Sequence, residues 1–153
     1  MTSFINWDSR RTLGIYSIDQ EHKQIALLLN DLYYLLTCGD KIMCSRLTGM
    51  LNMLLEISRE HFLNEENIME QVHYPGLRMH KQEHYLLLVE LKDFIRQFNS
   101  GQLYLTTRTL NDLKNWFLAH IHSSDKKFSI YYHKQDFNGL VAQRCVRKIN
   151  SKI

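Results

Sequence analysis

The sequence predicts an all-α fold: an up-down-up-down antiparallel four-helix bundle with an irregular N-terminal arm and a short basic C-terminal extension. One proline and six glycines among 153 residues leave few of the tight turns that an all-β fold needs. Apolar residues recur every three or four positions in four stretches of roughly 20–30 residues joined by short connections. We therefore expect a single domain over residues 1–153, with the bundle over about 19–130 and a basic tail over 131–153.

The predicted helices follow in order from their start and stop signals. Residues 1–18 look irregular, with Phe4, Trp7 and Tyr16 as aromatic anchors along the bundle. Asp19 is the expected N-cap of the first helix, and Tyr74-Pro75-Gly76 ends the second. The expected helices cover residues 20–37, 41–72, 77–98 and 106–128, with a short fifth helix over 140–149.

Composition narrows the classes of partner. Apolar residues make up 44% of the chain and charged residues 23%, which is typical of a globular protein. The net charge of +3 argues against a nucleic-acid-binding domain. Residues 1–125 hold 12 Lys and Arg against 15 Asp and Glu, whereas residues 126–153 hold 7 against one, Asp136. The basic tail is therefore expected to be solvated or to dock on an acidic partner or a membrane surface.

The chain also carries signals about its compartment. Three cysteines are an odd number without the spacing of a disulfide framework, which favours a reducing environment. The longest apolar stretch, 25–36, is interrupted by Asn30 and Asp31 and is too short to span a bilayer. The first residues contain no apolar segment typical of a signal peptide. We expect a cytoplasmic monomer without a transmembrane segment.

Histidine and carboxylate side chains fall on the apolar stripe of each of the four helices. Pairs four residues apart lie one turn apart on the same helix face. A pair five apart on an α-helix is rotated by about 140°, which suits a carboxylate that reaches a metal from the flank. The residues concerned are His22, His61 with Glu65, His80 with His84, and His120 with Asp125.

The number and type of these side chains predict a metal centre. A lone buried histidine is usually a core residue, but seven such groups in a dry core would be costly to bury without a metal. Seven ligands exceed the needs of one tetrahedral zinc, and imidazole combined with carboxylate fits iron. Two six-coordinate irons that share both carboxylates and one bridging oxygen would use all seven and leave one position for a small ligand.

Several segments together resemble the hemerythrin family, and within it the single-domain bacterial type, over about residues 4–130. These segments are Trp7, GIYSIDQEHKQI (14–25), HFLNEE (61–66), HKQEH (80–84) and WFLAHIHSSDKKF (116–128). The resemblance implies two irons, bridged by an oxo or hydroxo group and by Glu65 and Asp125. It assigns His80, His84 and His120 to one iron and His22 and His61 to the other.

The resemblance also implies a function. It indicates a non-haem diiron protein that binds dioxygen reversibly for carriage, storage or delivery, and that is not an enzyme. Dioxygen would bind at the iron held by His22 and His61. Hemerythrins commonly place a leucine three residues before the fourth-helix histidine, where this chain has Phe117, one turn from His120. We expect the larger ring to seal the oxygen pocket, with plain core packing as the alternative.

Other functions remain open at this point. HKQEH also matches the H-x-x-E-H motif of zinc peptidases, with Glu83 as general base, but that interpretation leaves His22, His61 and Asp125 unexplained. A diiron oxidase would carry two inward Glu-x-x-His motifs, which the stripes lack. A hemerythrin-like oxygen or redox sensor, or an iron- or nitric-oxide-handling protein, is a closer alternative. The other histidines, His73, His122 and His133, are expected not to bind metal.

Overall fold

The computed structural model describes residues 3–37 and 43–135, and within them it is a four-helix bundle without strands. The predicted all-α fold is confirmed. The helices are α1 (Tyr16–Thr37), α2 (Met43–Gln71), α3 (Leu77–Asn99) and α4 (Thr107–His120). None of them combines the length and the apolar character needed to cross a bilayer. Most of the basic tail and the predicted fifth helix over 140–149 lie outside the described residues.

The first helix starts earlier than predicted, and Asp19 is not its N-cap. α1 begins at Tyr16, and Asp19 lies in its first turn. The Asp19 carboxylate instead accepts hydrogen bonds from the backbone N–H groups of Leu13 (2.6 Å) and Gly14 (2.9 Å). Asp19 therefore fastens the incoming arm to the helix, because these two donors precede the helix and would otherwise be left without partners.

The N-terminal arm lies along the bundle through specific contacts. Phe4 stacks on Tyr33 of α1 with ring centroids 4.4 Å apart. The backbone of Ile5 exchanges two hydrogen bonds with the Asn30 side chain, its N–H donating at 2.6 Å and its carbonyl accepting at 3.1 Å. The expectation for Tyr16 was wrong: its side chain is 79% exposed, because it starts the helix on the solvent side.

Two helix ends close with the same motif but different residues. At the end of α3, Gly101 has φ +72° and its N–H donates to the carbonyl of Phe98. At the end of α2, His73 takes that position with φ +53°, and its N–H donates to the carbonyl of Glu70. This is the Schellman arrangement, which favours glycine at the left-handed position. Tyr131 donates its hydroxyl to the carbonyl of His73 (3.0 Å), which helps hold the turn.

The fourth helix is longer than predicted and contains an irregularity. Thr106 caps α4 reciprocally with Thr109. After His120 the chain forms one π-helical segment, Ile121–Asp125, and then continues as helix over 126–135. A π-helical turn accommodates one more residue than an α turn. The irregularity coincides with the predicted His120 and Asp125 pair.

Candidate metal centre

All seven predicted ligand side chains meet in the middle of the bundle and are buried. One comes from α1, two each come from α2 and α3, and two come from the end of α4 and its π-helical segment. Their exposed fractions range from 0% for His22, Glu65 and Asp125 to 8% for His120. The seven are His22, His61, Glu65, His80, His84, His120 and Asp125.

The ligand atoms divide into two groups that share one carboxylate. In each group one donor atom from every residue lies within 4.8 Å of the others. The larger group contains two carboxylates and three histidines: Glu65, His80, His84, His120 and Asp125. The smaller group contains His22, His61 and Asp125. The histidines divide as the sequence resemblance implies, and Asp125 lies between the two groups, whereas Glu65 belongs only to the larger group.

The imidazole Nε2 atoms point into the cluster, towards one another and towards its carboxylates. His22 Nε2 lies 3.0 Å from His61 Nε2, and His84 Nε2 lies 3.0 Å from His120 Nε2. A hydrogen bond needs one donor and one acceptor. Within each pair, one Nε2 would therefore have to carry a hydrogen and the other would have to lack it. Inward-facing nitrogens that converge in pairs are instead typical of a bound cation.

The π-helical segment determines where Asp125 points. We expected a carboxylate rotated by about 140° from His120, because five residues on an α-helix give that offset. The extra residue in the turn instead brings Asp125 back to the face of His120, with Asp125 Oδ1 2.9 Å from His120 Nε2. Asp125 Oδ2 lies 3.3 Å from His22 Nε2 in the other group. One carboxylate therefore reaches both groups.

The buried oxygen atoms fit a cation. Both oxygens of Asp125 and Oε1 of Glu65 are buried and form no hydrogen bond of regular geometry, as is true of Nδ1 of His22. Imidazole nitrogens nevertheless lie 2.9 to 3.3 Å from the Asp125 oxygens. Native proteins rarely leave buried carboxylate oxygens unsatisfied, because the desolvation cost is not recovered. Metal ions would satisfy all three oxygens. The donor set of imidazole and carboxylate is one that iron accepts.

Burial and mutual contact of these side chains also shift their pKa values. Burial and the charge of Asp125 act to raise the pKa of Glu65, but hydrogen bonds with His80 and His84 outweigh them and lower it to about 2. Burial acts to lower the pKa of His80, but Asp125 and Glu65 raise it to about 9. Burial, together with the neighbouring charges of His80 and His120, lowers the pKa of His84. The cluster thus holds positive charge next to its carboxylates.

Two carboxylates outside the predicted set hold ligand histidines from behind. Glu21 Oε2 accepts from Nδ1 of His61 at 2.9 Å, and Asn64 donates to Glu21 Oε1 at 2.8 Å. Glu66 Oε1 accepts from Nδ1 of His84 at 2.8 Å. Such contacts fix the tautomer that leaves Nε2 free for a metal. Neither Glu21 nor Glu66 was predicted from the sequence. Each is adjacent to a predicted ligand on its helix and therefore points about 100° away from that ligand.

Glu83 does not lie where a zinc peptidase would need it. Its side chain is half-exposed and accepts a hydrogen bond from the hydroxyl of Ser124. Its nearest approach to the cluster is to the outward-facing Nδ1 of His120, at 3.7 Å. A general base must reach a metal-bound water, which would lie on the Nε2 side of His80 and His84. The geometry disfavours the zinc peptidase.

Aromatic rings cover the smaller group. Phe117 is 5% exposed and meets the His22 ring edge-on with centroids 5.8 Å apart. Trp7 from the N-terminal arm lies 5.9 Å from the same ring. The remaining histidines of the described residues, His73, His122 and His133, belong to neither group. His133 instead contacts the carbonyl of Leu13 at 2.8 Å and helps anchor the arm.

Comparison with known proteins gives a consistent result. A family model described as the hemerythrin HHE cation binding domain matches residues 13–129. A bacteriohemerythrin of Stenotrophomonas maltophilia (strain R551-3) is 26% identical over 124 residues, 80% of this chain and 78% of that protein. A myohemerythrin of Sipunculus nudus is 28% identical over 122 residues, 80% of this chain and 88% of that protein.

Solved structures agree on the fold. The crystal structure of a wild-type hemerythrin has a TM-score of 0.76 to this chain, with 24% sequence identity. The match covers 83% of this chain and 96% of the other. At this identity the likeness concerns the arrangement of the helices alone.

Proposed function

The chain belongs to the hemerythrin family, and from this premise we propose that its buried cluster holds two irons and binds dioxygen reversibly. The observation that carries the proposal is Asp125, whose two oxygens form no hydrogen bond of regular geometry and face two separate groups of histidines. A carboxylate so placed suits a bridge between two ions. When bound, a pair of irons supplies the reversible electron transfer that dioxygen binding requires.

Each of the two groups of residues would hold one iron. His80, His84 and His120 would hold one iron and His22 and His61 the other, with Asp125 shared. Glu65 contacts His80 and His84 through Oε2, at 3.2 and 3.3 Å, while its Oε1 is unpartnered. Because Glu65 belongs only to the larger group, we propose it as a ligand of that ion, and its role as a second bridge stays a prediction.

The smaller group is the better candidate for the dioxygen side. It offers two imidazoles where the larger group offers three, so its ion has room for an additional ligand. Phe117 and Trp7 lie beside His22 and keep water away from that side. Exclusion of water protects a reactive bound ligand from side reactions.

We further propose that the protein carries, stores or delivers dioxygen in the cytoplasm and is not an enzyme. The proposal that it is not an enzyme is supported by the carboxylates around the cluster. Glu21 and Glu66 are hydrogen-bonded to the outer Nδ1 atoms of His61 and His84, and Glu83 approaches the outer Nδ1 of His120. A role in oxygen or redox sensing would use the same centre. Monomeric assembly and docking of the basic tail on an acidic partner stay predictions.

The proposal is tested by metal content and absorption. Protein purified after anaerobic loading with ferrous iron should hold two irons per chain and gain a visible absorption band in air. The band should vanish when oxygen is removed and return on aeration. One zinc per chain, or a spectrum that air leaves unchanged, would contradict the proposal.

A further inference from the structure

A cavity lies on the outer face of the bundle, between α2 and α3 and apart from the buried cluster. Its volume is about 350 Å³. Its floor is apolar and consists of Phe62, Leu63 and Leu88, and Leu63 is 60% exposed. Three glutamates and one arginine complete the lining.

The wall of this cavity is in contact with the candidate metal centre. Glu66 lines the cavity and accepts a hydrogen bond from Nδ1 of His84 at 2.8 Å. Phe62 also lines it and stacks on the His84 imidazole, with centroids 3.9 Å apart and planes 12° apart. Whatever occupies the cavity therefore touches two groups that hold the His84 ring.

The charge of the lining is negative and poorly compensated. The glutamates are Glu56, Glu60 and Glu66, and Arg59 is the single cation among the lining residues. Arg59 lies 3.4 Å from Glu56 with both side chains more than half exposed, so their pairing is weak. Within the described residues no cation forms an ion pair with Glu60. Lys81 Nζ lies 3.9 Å from Glu66 Oε2, at the limit of an ion pair, so Glu60 is the lining carboxylate that has no cation beside it. Apolar side chains next to such a carboxylate favour a ligand with an apolar stem and a positive head.

We propose that this cavity binds a small organic amine with a short alkyl stem, and that His84 responds to its binding through Glu66. The stem lies on Phe62, Leu63 and Leu88, and the ammonium group pairs with the glutamates. Competition for Glu66 weakens its hydrogen bond with His84. Binding does not depend on iron, whereas any effect on the metal rests on the function proposed above.

Calorimetric titration of the full chain with n-hexylammonium tests the binding step. Hexan-1-ol serves as the neutral match for the stem. We expect the amine to bind at least about tenfold more tightly than the alcohol, since only the amine can pair with the rim. Glu60→Gln should weaken amine binding about threefold, and Arg59→Gln should strengthen it because a competing cation is removed.

A matched control comes from a different cavity. Asp112 and Glu90 line a cavity of about 330 Å³ between α3 and α4, together with Phe94 and Trp116. Asp112→Asn should leave hexylammonium binding unchanged. Equal binding of the alcohol and the amine, or equal weakening by Asp112→Asn and Glu60→Gln, would overturn the proposed site.

The response of His84 is read separately in metal-free protein. In ¹⁵N spectra of labelled histidine, the His84 signal, assigned by its loss in His84→Ala, should shift on addition of hexylammonium. The shift should be absent in Glu66→Gln, while the His22 signal should stay in place. Amine binding without a His84 shift would overturn the coupling. Binding by a protein that fails to take up two irons would refute the proposed function and leave the cavity site intact.

Discussion

The larger and the smaller group form the two halves of the candidate metal centre. They contain the same kinds of residue in different numbers. The larger group brings together three imidazoles and two carboxylates, whereas the smaller brings together two imidazoles and the shared Asp125. A carboxylate lies behind a histidine in each group, Glu66 behind His84 and Glu21 behind His61. The covering rings differ, since Phe62 stacks on His84 of the larger group, while Trp7 and Phe117 face His22 of the smaller.

If the cluster holds two irons as proposed, this difference would let one bundle hold metal firmly and still admit a ligand. Five donors would satisfy one ion, and fewer donors beside Trp7 and Phe117 would leave the other able to take a further ligand. The asymmetry follows from the helices: α1 supplies one ligand, whereas α2 and α3 each supply two.

The largest effect is expected from Asp125, because it is the side chain common to both halves. Asp125→Ala should reduce bound iron to well below one per chain, measured by metal analysis after loading and desalting. Circular dichroism checks that the bundle still folds. Asp112→Asn, on the surface of α4, is the matched control and should keep two irons. Full iron retention by Asp125→Ala would show that the carboxylate does not bridge.

His61→Ala should separate the two halves. Loss of this imidazole leaves the smaller group with one histidine, so we expect about one iron per chain and no absorption change in air. The larger group should keep its iron because all five of its donors are intact. If the variant lost both irons or neither, the two halves would not be separate metal sites.

Protons should compete with metal in the larger half. The pKa of His80 is raised to about 9 in the folded metal-free protein, above its ordinary value of 6.5. Its proton therefore stabilises the metal-free fold fully below about pH 6.5, and that contribution disappears as the pH rises through about 9. Thermal unfolding of metal-free protein should show this decline. His80→Gln should flatten it, whereas an unchanged pH profile in the variant would contradict the shift.

Phe117 tests the apolar cover of the smaller half. Phe117→Ala opens space beside His22 and should speed loss of the oxygenated form several-fold, because water gains access. The rate for Phe117→Leu should lie between those of the unmodified protein and Phe117→Ala, since a leucine fills part of the ring's volume. The decay of the visible band in air measures the rate. Equal rates in all three proteins, at equal iron content, would restrict Phe117 to packing.

The smallest effect is expected far from either half. His73→Gly should stabilise the protein by up to about 1 kcal/mol, because glycine adopts the left-handed backbone more readily than histidine. Denaturant unfolding measures the change, and iron content should stay the same. Gly101→Ala, at the equivalent position of α3, should destabilise by a similar amount. A loss of stability in His73→Gly would mean that the histidine side chain itself supports the turn.

Periodicity predicted the bundle and the inward face of the six clustered side chains other than Asp125, since a helix face follows directly from spacing. It failed where geometry departs from a regular α-helix. The π-helical segment changed the direction of Asp125, and nothing in the spacing of His120 and Asp125 reveals it. Asp19 was misassigned because a carboxylate before an apolar stripe resembles an N-cap whether it caps the helix or fastens the arm. Glu21 depends on the packing of α1 against α2, which one helix pattern does not contain.

We propose above all that the chain holds a pair of irons that together bind one dioxygen reversibly. Oxygen uptake by the ferrous protein, measured with an oxygen electrode against iron content, tests it most directly. We predict about one dioxygen taken up per two irons and returned when oxygen is removed. Uptake that is irreversible from the first exposure, or that does not scale with pairs of irons, would contradict the account.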